Sequence, residues 1–279
     1  MRALRSHAPG GPETLTLDEV DEPVPGPGEV LIAVRAAAIN FPDSLIIQDL
    51  YQFRPQRPFS PGAELAGVVE AVGPGVTAWQ RGDRVFGMML YGALAEKVVM
   101  PAARVFALPD SVTFDSGAAL LMTYGTAIHA LLDRGRLQPG DTLLVLGAAG
   151  GVGLAAVELG KALGARVIAA VSSEAKAQAA RDAGADDAVV YPHAPFGRED
   201  SKALSEAFKA ACGPDGAQVI LDCVGGDYSE PALRAIALQG RFLVVGFPAG
   251  IARMPLNLTL LKACYVCGVF YGSFLEREP

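Results

Sequence analysis

Two patterns of apolar residues divide the chain. Up to about residue 118, short alternating runs such as Glu29-Val-Leu-Ile-Ala-Val-Arg35 and Ala66-Gly-Val-Val-Glu-Ala-Val72 are set between prolines and glycines. A period of two is that of half-buried strands, so this half reads as mostly β. From about residue 120 onward, apolar runs at 142–146, 166–171, 187–191, 217–222 and 241–246 alternate with Ala-rich stretches of helical character. That alternation predicts βαβ units and a parallel sheet, hence an α/β fold. Gly164-Ala165 and Gly184-Ala185 stand where C-cap glycines end helices just before strands. A last apolar run, Ala263-Cys-Tyr-Val-Cys-Gly-Val-Phe-Tyr271, reads as a buried strand, with 264–271 as the sixth of the sheet.

The most informative stretch is Thr142-Leu-Leu-Val-Leu-Gly-Ala-Ala-Gly-Gly-Val-Gly-Leu-Ala-Ala-Val157, where a buried strand breaks into glycines and resumes as a helix. Gly150 and Gly151 let the backbone approach a phosphate, and Gly153 lets the helix lie close against the sheet. The first free N–H groups of that helix would face the anion. The string departs from the GxGxxG pattern, because its first glycine position is Ala148. Taken alone it also fits a Gly-rich strand-to-helix turn without a ligand.

Composition narrows the partners. The chain has 279 residues and a formal charge of −7, which argues against duplex nucleic acid or an anionic membrane as main partner. The longest apolar run, 143–157, is shorter than the roughly 18 residues of a membrane span, and the N-terminus has no apolar signal core. A soluble cytoplasmic protein is expected. The four cysteines, Cys212, Cys223, Cys264 and Cys267, are too few for a disulfide framework. Cys264 and Cys267 are three apart in a strand and would point to opposite faces, so structural cysteines rather than a shared metal are expected. His7, His129 and His193 are scattered, His129 reading as a helix residue, and no metal site is expected.

A NAD site usually places a carboxylate about 20 residues after the first glycine to hold the ribose 2′-OH. Here that position is Val171, followed by Ser172, Ser173, Glu174 and Lys176. The two hydroxyls and the lysine suit a 2′-phosphate, pointing to NADPH; the same residues also read as a serine helix cap with a solvated lysine, and Glu174 opposes an anion.

Several spaced strings in order resemble one family over nearly the whole chain. They are Gly26-Pro-Gly-Glu-Val-Leu31, Ala38-Ile-Asn-Phe-Pro-Asp43, Pro61-Gly-Ala-Glu-Leu-Ala-Gly67, Gly82-Asp-Arg-Val85, Tyr124-Gly-Thr126, Ala148-Ala-Gly-Gly-Val-Gly153 and Asp222-Cys-Val-Gly-Gly226. The family is that of the zinc-independent quinone oxidoreductases, related to zeta-crystallin, in the medium-chain dehydrogenase/reductase superfamily. The resemblance implies a GroES-like catalytic domain (1–120), a Rossmann doubly wound parallel sheet (121–272) and NADPH in the cleft between them. It places Asn40 and Thr126 at the nicotinamide end and Ala149, Gly150, Gly151 and Val152 at the pyrophosphate. Ser172, Ser173, Lys176 and Tyr191 fall at the 2′-phosphate end, and Val224, Phe247 and Phe270 at further cofactor-lining positions. Asn40, Asp43 and Tyr51 would form the catalytic set. In related enoyl-thioester reductases the position of Tyr51 is a catalytic tyrosine.

The family often carries a tyrosine two residues after Asp43, where this chain has Leu45. Family members also continue for several dozen residues that return to the catalytic domain, so 273–279 would be the start of a truncated return. No cysteine precedes Cys212, so the zinc ligands of the alcohol dehydrogenases are missing. A zinc-free site suits acceptors whose reduced form is a stable anion, since a quinol oxygen has a pKa of about 10 on the tyrosine scale. NADPH-dependent hydride transfer to a quinone is the expected function. Alternatives are enone or enoyl-thioester reduction, and an NADPH-binding or RNA-binding protein without turnover. The family is usually a homodimer through its last Rossmann strand, and 263–271 is apolar enough for that.

Overall fold

The computed structural model describes residues 1–277. The chain divides into two compact units, the first Met1–Met122 and the second from Thr123 onward.

In the first unit, β1 (Arg2–Arg5) and β2 (Thr16–Glu19) form an antiparallel pair. Next come β3 (Glu29–Ala38), α1 (Phe41–Ile46), β4 (Glu64–Val72), β5 (Arg84–Met88), β6 (Lys97–Pro101), β7 (Val105–Ala107) and α2 (Phe114–Ala118). The other five strands make one antiparallel sheet in the order β6-β3-β4-β5-β7. Its core is Val30, Ile32, Leu65, Val69, Val85 and Met100. The expected runs at 29–35 and 66–72 are both strands here, the first extended to Ala38 and the second beginning two residues earlier, at Glu64.

The boundary between the units falls within α3 (Leu121–Ile128). The second unit continues with β8 (Thr142–Leu146), α4 (Gly151–Ala162), β9 (Arg166–Val171), α5 (Glu174–Asp182), β10 (Asp187–Val190), α6 (Arg198–Cys212) and β11 (Ala217–Asp222). It closes with α7 (Ser229–Arg234), β12 (Ile236–Val244), α8 (Asn257–Lys262), β13 (Tyr265–Gly268) and α9 (Tyr271–Arg277). The six strands form a parallel sheet in the order β10-β9-β8-β11-β12-β13, which is the expected doubly wound arrangement. Its apolar runs are continuous because both faces are covered. Along β8, Leu143 and Val145 join the core under α4 and α5, while Leu144 and Leu146 join Phe208 and Phe242 on the other face. Gly164 (φ +83°) and Gly184 (φ +108°) stand at the ends of α4 and α5, as their positions before strands predict.

Three boundaries differ from expectation. β10 ends at Val190, leaving Tyr191 just beyond it. β12 starts at Ile236, because the chain passes a left-handed Gln239 (φ +60°) and a register shift without leaving the sheet. The last strand covers only 265–268 and is not buried. It is the sheet edge, with Tyr265 52% and Val266 44% exposed. Cys264 packs on one core and Cys267 on the other, so the two do point to opposite faces. Of the expected return segment, 273–277 lies in α9, and 278–279 fall outside the described residues.

Candidate active site

In the first unit, β3 delivers the chain to Asn40, the extended N-cap of α1 (φ −113°, ψ 161°). The Asn40 N–H donates to Asp43 Oδ2 at 2.7 Å, and Gly62 N–H donates to Asp43 Oδ1 at 3.1 Å. Asp43, 4% exposed, therefore braces the loop from both oxygens; burial pushes its pKa up against these two bonds. The Asn40 side chain donates from Nδ2 to Glu64 Oε1 at 2.9 Å, and Met122 N–H donates to Glu64 Oε2 at 2.9 Å. Glu64 is 1% exposed; burial raises its pKa and the charge of Asp43 adds to that, while its hydrogen bonds oppose the rise.

Tyr51 packs with Leu15 against Ile46, Ile47 and Phe59. Burial, and then the charge of Asp43, raises its phenol pKa, so it is a protonated donor at neutral pH. Beyond Phe59 lies an aromatic shelf: Tyr91 meets Phe59 edge-on at 5.6 Å and stacks with Phe53 at 5.8 Å.

Sequence reasoning passed over Glu64 except as one letter of a motif. The available signal was a lone carboxylate between Ala63 and Leu65 in an otherwise apolar run.

In the second unit, the turn after β8 is made by Gly147, in the left-handed region at φ +72°. The tight-turn glycine thus sits one position before the GxGxxG register, and Ala148 is fully buried. Gly150 is the N-cap of α4, with no side chain capping the first turn. A Cβ at Gly153 would lie 2.2 Å from the Gly147 carbonyl oxygen, so this residue must be glycine for helix and turn to meet. A Cβ at Gly150 would meet only that oxygen, at 3.4 Å. Open space at the cap and uncapped N–H groups behind it fit a pyrophosphate. Ala149 and Val152 back the turn from the core, and Val224 overhangs Gly147. Asp222, buried, holds the loop after β11 by accepting from Val224 N–H, Gly225 N–H and Ser229 Oγ; burial raises its pKa. Phe247, exposed, stands beside Gly225, and Phe270 is exposed just after β13.

At the end of β9, Lys176 Nζ donates to Ser172 Oγ at 2.9 Å, so these two are brought together. Ser173 accepts from Lys176 N–H as the N-cap of α5, and Glu174 is turned to Arg181 at 2.7 Å. Tyr191 lies in the core against Tyr228, centroids 4.5 Å apart, and burial pushes its pKa up to about 12. Thr126 is buried in α3; two residues before it, Tyr124 Oη donates to Glu158, which drives the Tyr124 pKa up to about 12. His129 is buried in the helical turn after α3 and bonded to Asp133 at 2.7 Å. No group of three His, Cys, Asp or Glu side chains that could hold a metal occurs among the described residues, and no helix there is long and apolar enough to cross a membrane.

Residues 26–110 match the alcohol dehydrogenase GroES-like domain, and residues 151–279 match the zinc-binding dehydrogenase family. The chain is 37% identical to quinone oxidoreductase-like protein 2 of Rattus norvegicus, over 95% of this chain and 74% of that one. It belongs to the zinc-independent quinone oxidoreductase family of the medium-chain dehydrogenases/reductases. As an oxidoreductase of that superfamily it has solved neighbours of the same fold. The quinone oxidoreductase of Escherichia coli complexed with NADPH superposes with a TM-score of 0.88 at 31% identity, covering 98% of this chain and 82% of that one. The CurK enoyl reductase superposes with a TM-score of 0.84 at 25% identity, covering 100% and 83%. The expected fold, a GroES-like β unit followed by a Rossmann sheet, is therefore the family's own.

Proposed function

We propose that this oxidoreductase reduces quinones with NADPH, and that Asn40, Asp43 and Tyr51 serve the acceptor end while the glycine turn and the Ser172–Lys176 pair serve the cofactor. The observation that carries the quinone reading is the aromatic shelf. The stacked rings of Phe53 and Tyr91 offer flat apolar surface, backed by the buried Phe59 against which Tyr51 also packs, and a planar ring matches it.

NADPH, when bound, supplies the hydride. The chain's own part is then positioning and proton supply. Asp43 fixes the backbone at Asn40, which offers a polar contact at the nicotinamide end. Tyr51 Oη keeps its proton because its pKa is raised, and can pass it to the oxyanion of the reduced quinone, taking a replacement from water. At the far end, Ser172 and Lys176 meet a 2′-phosphate, Val171 offers no carboxylate for a 2′-OH, and Glu174 is held off by Arg181. Ala149 to Val152 hold the pyrophosphate, Thr126 stands with Asn40 at the nicotinamide end, Tyr191 with Ser172 and Lys176 at the 2′-phosphate end, and Val224, Phe247 and Phe270 line the cofactor further along. The exposed edge of β13, with Leu260 and Leu261 of α8, suits a second copy of the chain and supports a homodimer.

The same protonated tyrosine favours one second reading, enone or enoyl-thioester reduction, because an enolate needs a proton delivered at carbon or oxygen. The test is NADPH oxidation with 9,10-phenanthrenequinone and with crotonyl-CoA, by the wild type and by Tyr51→Phe. Turnover with the quinone, and a small loss in the variant, is the expected result. Turnover confined to crotonyl-CoA and abolished in the variant would replace the quinone reading.

A further inference from the structure

Glu64 is a buried carboxylate that the proposed chemistry leaves unused. Among the described residues it has no cationic partner, a costly arrangement unless its oxygens are fully hydrogen-bonded. Both oxygens face donors: Oε2 accepts from the Met122 N–H in the first turn of α3, and Oε1 accepts from Asn40 Nδ2. The backbone donor cannot be reversed, and a helix's first turn favours negative charge. An ionised carboxylate only accepts, so the Asn40 amide has one allowed orientation, with Nδ2 inward and Oδ1 turned away from Glu64. The reverse orientation would set two oxygens against each other at the 2.9 Å that now separates donor from acceptor.

We infer that Glu64 is a positioning residue that fixes Asn40 as a hydrogen-bond acceptor toward its ligand. The ligand group at Asn40 must then be a donor, an amide N–H or a hydroxyl. This rests on Asn40 standing at the nicotinamide end, as proposed above.

The inference predicts a rescue that a merely structural carboxylate would not show. In Glu64→Gln, the new amide oxygen must serve Met122 N–H, so its nitrogen faces Asn40. Asn40 is then forced to turn its oxygen inward and present nitrogen to the ligand. In Asn40→Asp alone, two carboxylates meet. In the double variant Glu64→Gln/Asn40→Asp, the glutamine amide donates to one oxygen of the introduced aspartate, and its other oxygen again faces outward as an acceptor.

The experiment measures the NADPH dissociation constant of the full chain by nucleotide fluorescence, with the Tm of each variant and KM and kcat for the quinone. Each single variant is expected to bind NADPH about 10- to 100-fold more weakly, the loss for one mispaired buried polar group. The double variant is expected to regain most of that. Folded single variants that bind like the wild type, or a folded double variant no better than the singles, would overturn the inference. Should Glu64→Gln fail to fold, the wild type decides: one Asn40 Nδ2 proton should be protected from exchange with water, and free exchange of both would refute the hold. A wild type that oxidises NADPH with no quinone would remove the function proposed above, and the binding comparison would still decide the role of Glu64.

Discussion

Lys176→Ala tests the feature proposed above to separate the two cofactors. Lys176 is exposed, but its Nζ is held 2.9 Å from Ser172 Oγ, so the ammonium is placed before any ligand arrives. A hydrogen bond to a charged group contributes about 1.5–3 kcal/mol, and an exposed ion pair about 0–1 kcal/mol. A preplaced but solvated lysine falls between, at about 1–1.5 kcal/mol, which is roughly a 5- to 10-fold rise in the NADPH dissociation constant. NADH has no 2′-phosphate and should bind Lys176→Ala as it binds the wild type. Arg181→Ala adds a control with no direct ligand contact. It releases Glu174, now 2.7 Å from the guanidinium, toward the same anion, and should weaken NADPH alone by about twofold. Fluorescence titration of both nucleotides at low and high salt makes the measurement, and salt should shrink both effects. Equal losses for NADPH and NADH in Lys176→Ala, or none for NADPH, would show that the end of β9 does not read the phosphate.

The glycine turn makes a paired prediction. Gly150→Ala has room in the apo fold and should keep its Tm while weakening NADPH at least tenfold, whereas Gly153→Ala collides with the Gly147 carbonyl and should cost about 2 kcal/mol or more of stability. Differential scanning fluorimetry beside nucleotide titration separates the two, and identical behaviour would refute the assignment. Asp43, Glu64 and Asp222 all have raised pKa values, chiefly from burial. The unfolded chain therefore loses these protons first, and their contribution to stability is greatest below the ordinary carboxylate value and lost as pH rises through the raised one. In denaturant melts between about pH 4 and 7, the stability of the wild type relative to Glu64→Gln should fall as pH rises, and a relative gain would contradict the sign. If the proposed homodimer forms through β13, Val266→Lys on its exposed edge should lower the mass seen in light scattering to that of a monomer, and an unchanged dimer mass would place the interface elsewhere.

The Rossmann half was legible because its information is local. Five buried residues in β8, a glycine break and an amphipathic restart follow one another directly, and C-cap glycines mark where α4 and α5 end. Reading went astray where a tertiary neighbour sets the outcome. The run around 265–268 is as apolar as a central strand, yet it is an edge, and hydrophobicity alone cannot say which side of a sheet lacks a partner. β12 could not be started at Ile236 from the sequence, because Gln239 and Gly240 look like a turn, whereas the sheet carries them as an irregularity between the pairs at Ile236 and Arg241. Ser172, Ser173 and Lys176 stand together in the sequence, but only the fold divides their work: one hydroxyl caps α5, while the other meets the lysine. Glu64 is the sharpest case. Its partners are 24 and 58 residues away, so the local string shows a lone carboxylate in an apolar run and not the amide that it holds. Sequence pattern therefore nominates the groups proposed to touch a ligand more readily than the groups that would orient them, since orientation is a property of contacts made across the fold.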